Sequence, residues 1–149
     1  MSLITLGQRT LKHPVSLLEK LAPLADLAMR LYVANVFFQS GLLKFQSWGQ
    51  TKQLFEYVYS VPLLPPEVAA VMATAGELIL PVLLAIGLAG RLGALGLTVV
   101  NIMAVISFPE LNDAGLRDHL VWGLMLAVLL THGPGKLSVD HLLRSRFWP

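Results

Sequence analysis

Arg30, Lys44, Glu77, Asp118 and His119 all stand in or at the edge of long apolar stretches, alongside the amides Asn35, Gln39 and Asn101. A charge at bilayer depth costs at least ~2.5–3.5 kcal/mol, so an ionisable side chain kept there is a site candidate by default. Carboxylates, an imidazole and two cations can handle a proton, donate to a quinone oxygen, or pair with one another to fix helix register. On a helical wheel Arg30, Ala34, Phe37, Gly41 and Lys44 form one stripe, and the small Ala34 and Gly41 let another helix approach it. Asn35 and Gln39 point the other way, towards a third helix or a neighbouring subunit. Helix rise puts Glu77 and Asn101 near the middle of their stretches, roughly 15–16 Å from one end. Arg30 falls about 5 Å to the cytoplasmic side of the middle, within reach of Glu77, while Asp118 and His119 lie about 6–8 Å from the outer end. The expectation is a polar column running from Arg30 through Glu77 and His119 to Lys44. Pro81 bears on it directly: a helical proline has no N–H for the carbonyl four residues earlier, and that carbonyl belongs to Glu77. A kink there would free a backbone acceptor beside the carboxylate, to be satisfied by protein or by a water-filled cavity.

Each residue also has a purely structural reading. Arg30 and Glu77 can be an ion pair that only sets register. Asp118 can serve the dipole at the start of its helix. Asn35, Gln39 and Asn101 read as helix–helix hydrogen-bonding residues, and Trp48, Trp122 and Trp148 as interface anchors. His13, His132 and His141 have no metal-ligand spacing, so no metal site is expected. No P-loop, dinucleotide fingerprint, CxxC pair or nucleophile elbow is present.

The elements that must position these groups are legible from composition. In 149 residues, 55% are hydrophobic and 13% charged. Mean hydropathy is +0.67. Such a chain is one domain whose solvent is lipid. A net charge of +2 does not point to nucleic acid, and the absence of cysteine excludes disulfides, iron–sulfur clusters and thiol chemistry. Four spans are expected, at residues 23–43, 66–88, 91–108 and 114–131, each within the ~17–25 residues needed to cross the hydrocarbon. Pro23 suits a first helical turn and Asp113 an N-cap. The turn at residues 87–93 is short enough to make the second and third spans an antiparallel hairpin. Between spans 1 and 2, Trp48, Phe55, Tyr57 and Tyr59 alternate with polar residues, which reads as a short interfacial helix. The fold class is thus an all-α integral membrane four-helix bundle with that interfacial helix. Residues 1–22 form an N-terminal arm, 23–132 the four-span domain and 133–149 a C-terminal tail.

Arg9, Lys12 and Lys20 in the arm, Arg91 in the hairpin turn and Lys136, Arg144 and Arg146 in the tail oppose Lys44, Lys52 and Arg117. Both termini are therefore expected in the cytoplasm. No cleavable signal is evident before the first span, which is expected to act as its own insertion signal.

From about Leu24 to Leu143 the order of short motifs resembles the DoxX family of small four-span bacterial membrane proteins. Arg30-Leu31, Phe37-Phe38-Gln39-Ser40-Gly41-Leu42-Leu43-Lys44 and Trp48 come first, then Leu54-Phe55-Glu56-Tyr57, Val61-Pro62-Leu63-Leu64-Pro65-Pro66 and Ala75-Gly76-Glu77-Leu78. Asp118-His119-Leu120-Val121-Trp122-Gly123 and Gly133-Pro134-Gly135-Lys136-Leu137-Ser138-Val139-Asp140 follow. Where many relatives have an acidic residue after Trp48, this chain has Gly49.

The resemblance implies a bacterial inner-membrane location and similarity to the membrane subunit of thiosulfate:quinone oxidoreductase. It also implies partners among redox, detoxification, metal-stress or copper-responsive peptide-maturation proteins. It carries over Arg30, Gly41, Lys44, Glu77, Asp118 and His119.

Three functions stay open. The leading one is an accessory subunit, rather than a self-contained enzyme, of a redox or stress system. It would have no covalent cofactor and a polar pocket of Arg30, Lys44, Glu77, Asp118 and His119 for a quinone or small ligand, with Gly41, Pro81 and Asn101 in structural roles. The others are a small transporter or export factor using Glu77 and His119, and a non-catalytic scaffold. A soluble or membrane oxidoreductase, the lipid bilayer and a second copy of the chain are the partners considered.

Overall fold

The protein, seen in a computed structural model that describes residues 3–147 with side chains for Ser16 and residues 19–147, has helices as its only regular secondary structure among those residues. The helices are α1 (Leu3–Gln46), α2 (Trp48–Tyr57), α3 (Pro66–Ile86), α4 (Gly90–Ser107), α5 (Asp113–His132) and α6 (Val139–Phe147). Four are long and apolar enough to cross a membrane: the Glu19–Gln46 part of α1, and α3, α4 and α5. The side chains of Arg9, Lys12 and His13, and all of Trp148, lie outside the described residues. Two elements differ from the sequence expectation. The backbone of α1 is already helical from Leu3, and the tail holds a sixth helix.

In the bundle α1 packs on α3, α3 on α4 and α4 on α5, with a thinner seam between α5 and α1. Val33, Phe37, Leu84, Leu97, Leu126 and Leu129 fill the centre towards the α6 end. A second apolar cluster joins Phe55 of α2 to Ala69 and Ala70 of α3, with Trp48 and Tyr59 packed against it. So α2 is held by its own core, and only Tyr57 of its aromatic residues is strongly exposed (76%).

Local chemistry sets the helix ends. Pro66 opens α3 at a position whose N–H would be unpaired in any case. Its end is closed by left-handed Gly87 (φ 69°), whose N–H donates to Leu84 O while Leu88 N donates to Leu83 O. Ala89 is also left-handed (φ 49°), an uncommon state for a residue with a Cβ. Asp140 holds it there. Its carboxylate accepts from Ala89 N at 2.8 Å and Gly90 N at 2.9 Å, so a residue fifty positions away caps α4. At α5 the cap is Asn112, accepting from Gly115 N at 2.8 Å, and Asp113 is the first helical residue. The N-cap expected at Asp113 therefore moves back one residue. Either side chain can make this bond, and the amide one position earlier does.

Candidate functional site

Lys44 and Glu77 form the heart of the site. Lys44 Nζ lies 2.6 Å from Glu77 Oε2 and donates at 2.7 Å to Ser40 Oγ, one helical turn back on α1. Their side chains are only 18% and 7% exposed. This pair exists because Gly41 lets the helices touch. A Cβ built on Gly41 would stand 2.8 Å from Glu77 Cβ, 2.9 Å from its carbonyl carbon and 3.0 Å from its carbonyl oxygen. That oxygen is the acceptor Pro81 leaves without a helical N–H, so the Gly41 backbone lies against it. Gly41→Ala is expected to cost about 1–3 kcal/mol, because backbone atoms cannot swing aside as a side chain end can. Thermal unfolding of the variant in detergent measures it.

His119 reaches the same region from α5. Asn101 Nδ2 donates to the His119 carbonyl at 2.9 Å, which turns Asn101 Oδ1 towards the imidazole, 2.8 Å from Nδ1. An amide oxygen only accepts, so Nδ1 carries the proton, an assignment made by the hydrogen-bond network. In the neutral ring Nε2 is then a free acceptor. Trp122 stacks edge-on to the imidazole, with centroids 4.9 Å apart, and Phe37 backs Trp122 at 6.0 Å.

Lys44, Glu77 and His119 line one cavity of about 420 Å³, whose other walls are mostly apolar. Ser40, Phe37 and Trp122 complete its polar end. Phe55, Tyr59, Val61, Met72, Met103, Ser107 and Leu111 are among the residues that line it towards α2. Tyr59 is wedged edge-on between Phe55 and Phe108, at 4.9 and 5.4 Å. Burial, and then the Glu77 carboxylate, push its hydroxyl above the ordinary tyrosine pKa, so it stays a neutral donor.

The expected column is therefore divided. Lys44, Glu77 and His119 come together, but Arg30 does not line the cavity. It is 1% exposed, and its guanidinium donates from Nη1 to Pro134 O and from Nη2 to Leu137 O, both at 2.6 Å. The reason is a stagger between α1 and α3. Gly41 lies five residues from the end of α1 but meets Glu77 eleven residues into α3, about 8 Å against about 16 Å of helix. Arg30 is a further eleven residues along α1, about 16 Å beyond Gly41 and out of reach of Glu77.

Asp118 is exposed and outside the cavity. Asn101 makes the expected helix–helix bond and also orients His119. Asn35 and Gln39 face outward. Trp122 is a cavity wall, a role that the i, i+3 spacing from His119 could have indicated. The sequence places Tyr59 only among the interfacial aromatics and gives Ser40 and Ser107 no site role, because short hydroxyls carry almost no pattern. No group of three potential metal ligands occurs among the described residues.

Comparison with known proteins finds a family model and a relative. A family model described as DoxX matches residues 25–110, a range that contains Lys44, Glu77 and Asn101. A Haemophilus influenzae protein described as uncharacterized is 33% identical over 126 residues, which cover 79% of this chain and 82% of that one. No solved structure matches.

Proposed function

The chain belongs to the DoxX family, and from that premise we propose that it is an accessory inner-membrane subunit of a redox or stress-response system whose cavity takes a quinone or similar small neutral ligand. One observation carries the reading: every spare hydrogen-bonding group of the buried ion pair and the imidazole belongs to a residue lining the same apolar cavity. Lys44 uses two of its three donors within the protein, Glu77 keeps Oε1, and His119 keeps Nε2. Lysine and glutamate cancel, and with a neutral imidazole the cavity carries no net charge, which favours an uncharged guest. Its volume falls in the ~300–1,000 Å³ range of small-molecule sites, which combine apolar walls with a few convergent polar groups. A quinone ring matches that chemistry: Lys44 would donate to its oxygen, and Glu77 and His119 would accept from the reduced, hydroxylated form. The redox chemistry would be the guest's, and the chain's part is to bind it, exclude water and hold protons nearby.

In this reading the α6 end faces the cytoplasm, because Lys20, Arg91, Lys136, Arg144 and Arg146 gather there. The chain carries no cofactor motif of its own, which makes a partner oxidoreductase the natural source of electrons.

The test is complementation of a deletion strain under copper or oxidant stress, with Glu77→Gln as the variant. The variant is expected to insert at normal levels and fail to restore growth. Full restoration would sink the proposal. Copurification of an oxidoreductase with the wild-type chain is the second expected result.

A further inference from the structure

We propose that the cavity has a second polar pole, made by the hydroxyls of Tyr59 and Ser107 at its α2 end, and that it thereby selects ring ligands with an oxygen at both ends. This rests on the ligand-pocket reading above and adds which ligands the pocket chooses.

The leading observation is Ser107. Its Oγ is buried and has no hydrogen-bond partner, although the residue is only 4% exposed and lines the cavity. Three threonine hydroxyls inside helices behave differently. Thr74 donates to Ala70 O, Thr98 to Ala94 O and Thr131 to Ala127 O, each one turn back along its own helix. Ser107 has the Met103 carbonyl in the equivalent place and does not use it. A native structure rarely leaves such a group unpaired without a reason.

Tyr59 supplies the second observation independently. It is half-buried, also lines the cavity, and its hydroxyl has no partner among the described residues. Its ring cannot easily turn away, being set edge-on against Phe55 and Phe108. The two residues are tied together, since Ser60 N donates to Ser107 O at 2.8 Å.

Position along α4 separates this pole from the first. Ser107 is six residues beyond Asn101, which holds His119, so the poles are about 9 Å apart along the helix axis. A six-membered ring with oxygens at opposite corners and a hydrogen bond of ~2.8 Å at each end bridges such a span. A ring with a single oxygen satisfies only one pole. Ser107 and Tyr59 both donate, as ring carbonyl oxygens require, and Lys44 donates at the far end.

The experiment uses the full chain in lipid nanodiscs, with empty discs as the baseline for partitioning. Equilibrium dialysis gives the affinities of 1,4-naphthoquinone and of 1-naphthol, which share a ring system but differ in their second oxygen. Ser107→Ala combined with Tyr59→Phe is expected to weaken the quinone about tenfold and leave the naphthol within about twofold. The ligand-free Tm of Ser107→Ala should not fall, since the lost hydroxyl had no partner. Unchanged quinone affinity in the double variant, with wild-type binding intact, overturns the second pole and leaves the pocket reading standing. Equal weakening of both probes overturns the selectivity. Failure of the wild-type chain to bind either probe above empty discs overturns the pocket reading and the second pole with it.

Discussion

Lys44→Met is expected to destabilise the bundle by about 3–5 kcal/mol, whereas the double variant Lys44→Met/Glu77→Leu should recover most of that loss. The single change leaves the Glu77 carboxylate without the ammonium 2.6 Å away, in a place where the side chain is 7% exposed. Ser40, which accepts from Lys44, has only a hydroxyl to offer in compensation and lies a turn away on α1. Removing both charges removes the cause of the cost, and two apolar side chains of similar volume suit a cavity already walled by Phe37, Met72 and Val100. The measurement is a double-variant cycle on unfolding in detergent, completed with Glu77→Leu. A structural pair and a ligand site diverge in the readout: the double variant should regain stability yet bind no quinone. Recovery of both would show that the pair serves packing alone.

Arg30→Leu is the second large effect, at roughly 2–6 kcal/mol, from two carbonyls that would each lose a charged donor. Its guanidinium spans Pro134 O and Leu137 O at 2.6 Å each, which only a planar fork can do. Arg30→Lys should therefore fall between wild type and Arg30→Leu. The local readout is proteolysis, because the segment held by Arg30 also carries Ser138 and Asp140. Gly87 makes room for this arrangement. A Cβ there would collide with Arg30 Nη1 and come within 2.5 Å of Ser138 Cβ. Cleavage between residues 133 and 140 is expected to rise sharply in Arg30→Leu, while the Lys44–Glu77 end keeps its ligand affinity. Loss of binding in a still-folded variant would contradict the separation of the two charged regions.

The four apolar helices were legible because length and composition alone decide whether a helix can cross a bilayer. The small residues of the Arg30–Gly41–Lys44 stripe mark a face of α1 open to another helix, and that helix is α3, which meets it at Gly41. Depth did not. Counting residues from each end assumes that the spans begin level, and α3 in fact starts well beyond the end of α1, alongside α2. That offset passes Glu77 from Arg30 to Lys44. The bonds from Arg30 and the α3–α4 turn to residues 134–140 were invisible for another reason. They pair side chains with backbone groups fifty or more positions away, and no periodicity records such a partner.

The Arg30 contacts also tie together parts of the chain that lie far apart in sequence. One guanidinium in the first span satisfies Pro134 O and Leu137 O, and the Asp140 carboxylate, three residues on, satisfies Ala89 N and Gly90 N. Residues 134–140 therefore work as a clasp that fastens α1 to the α3–α4 turn, and loosening either set of bonds weakens the hold of the other.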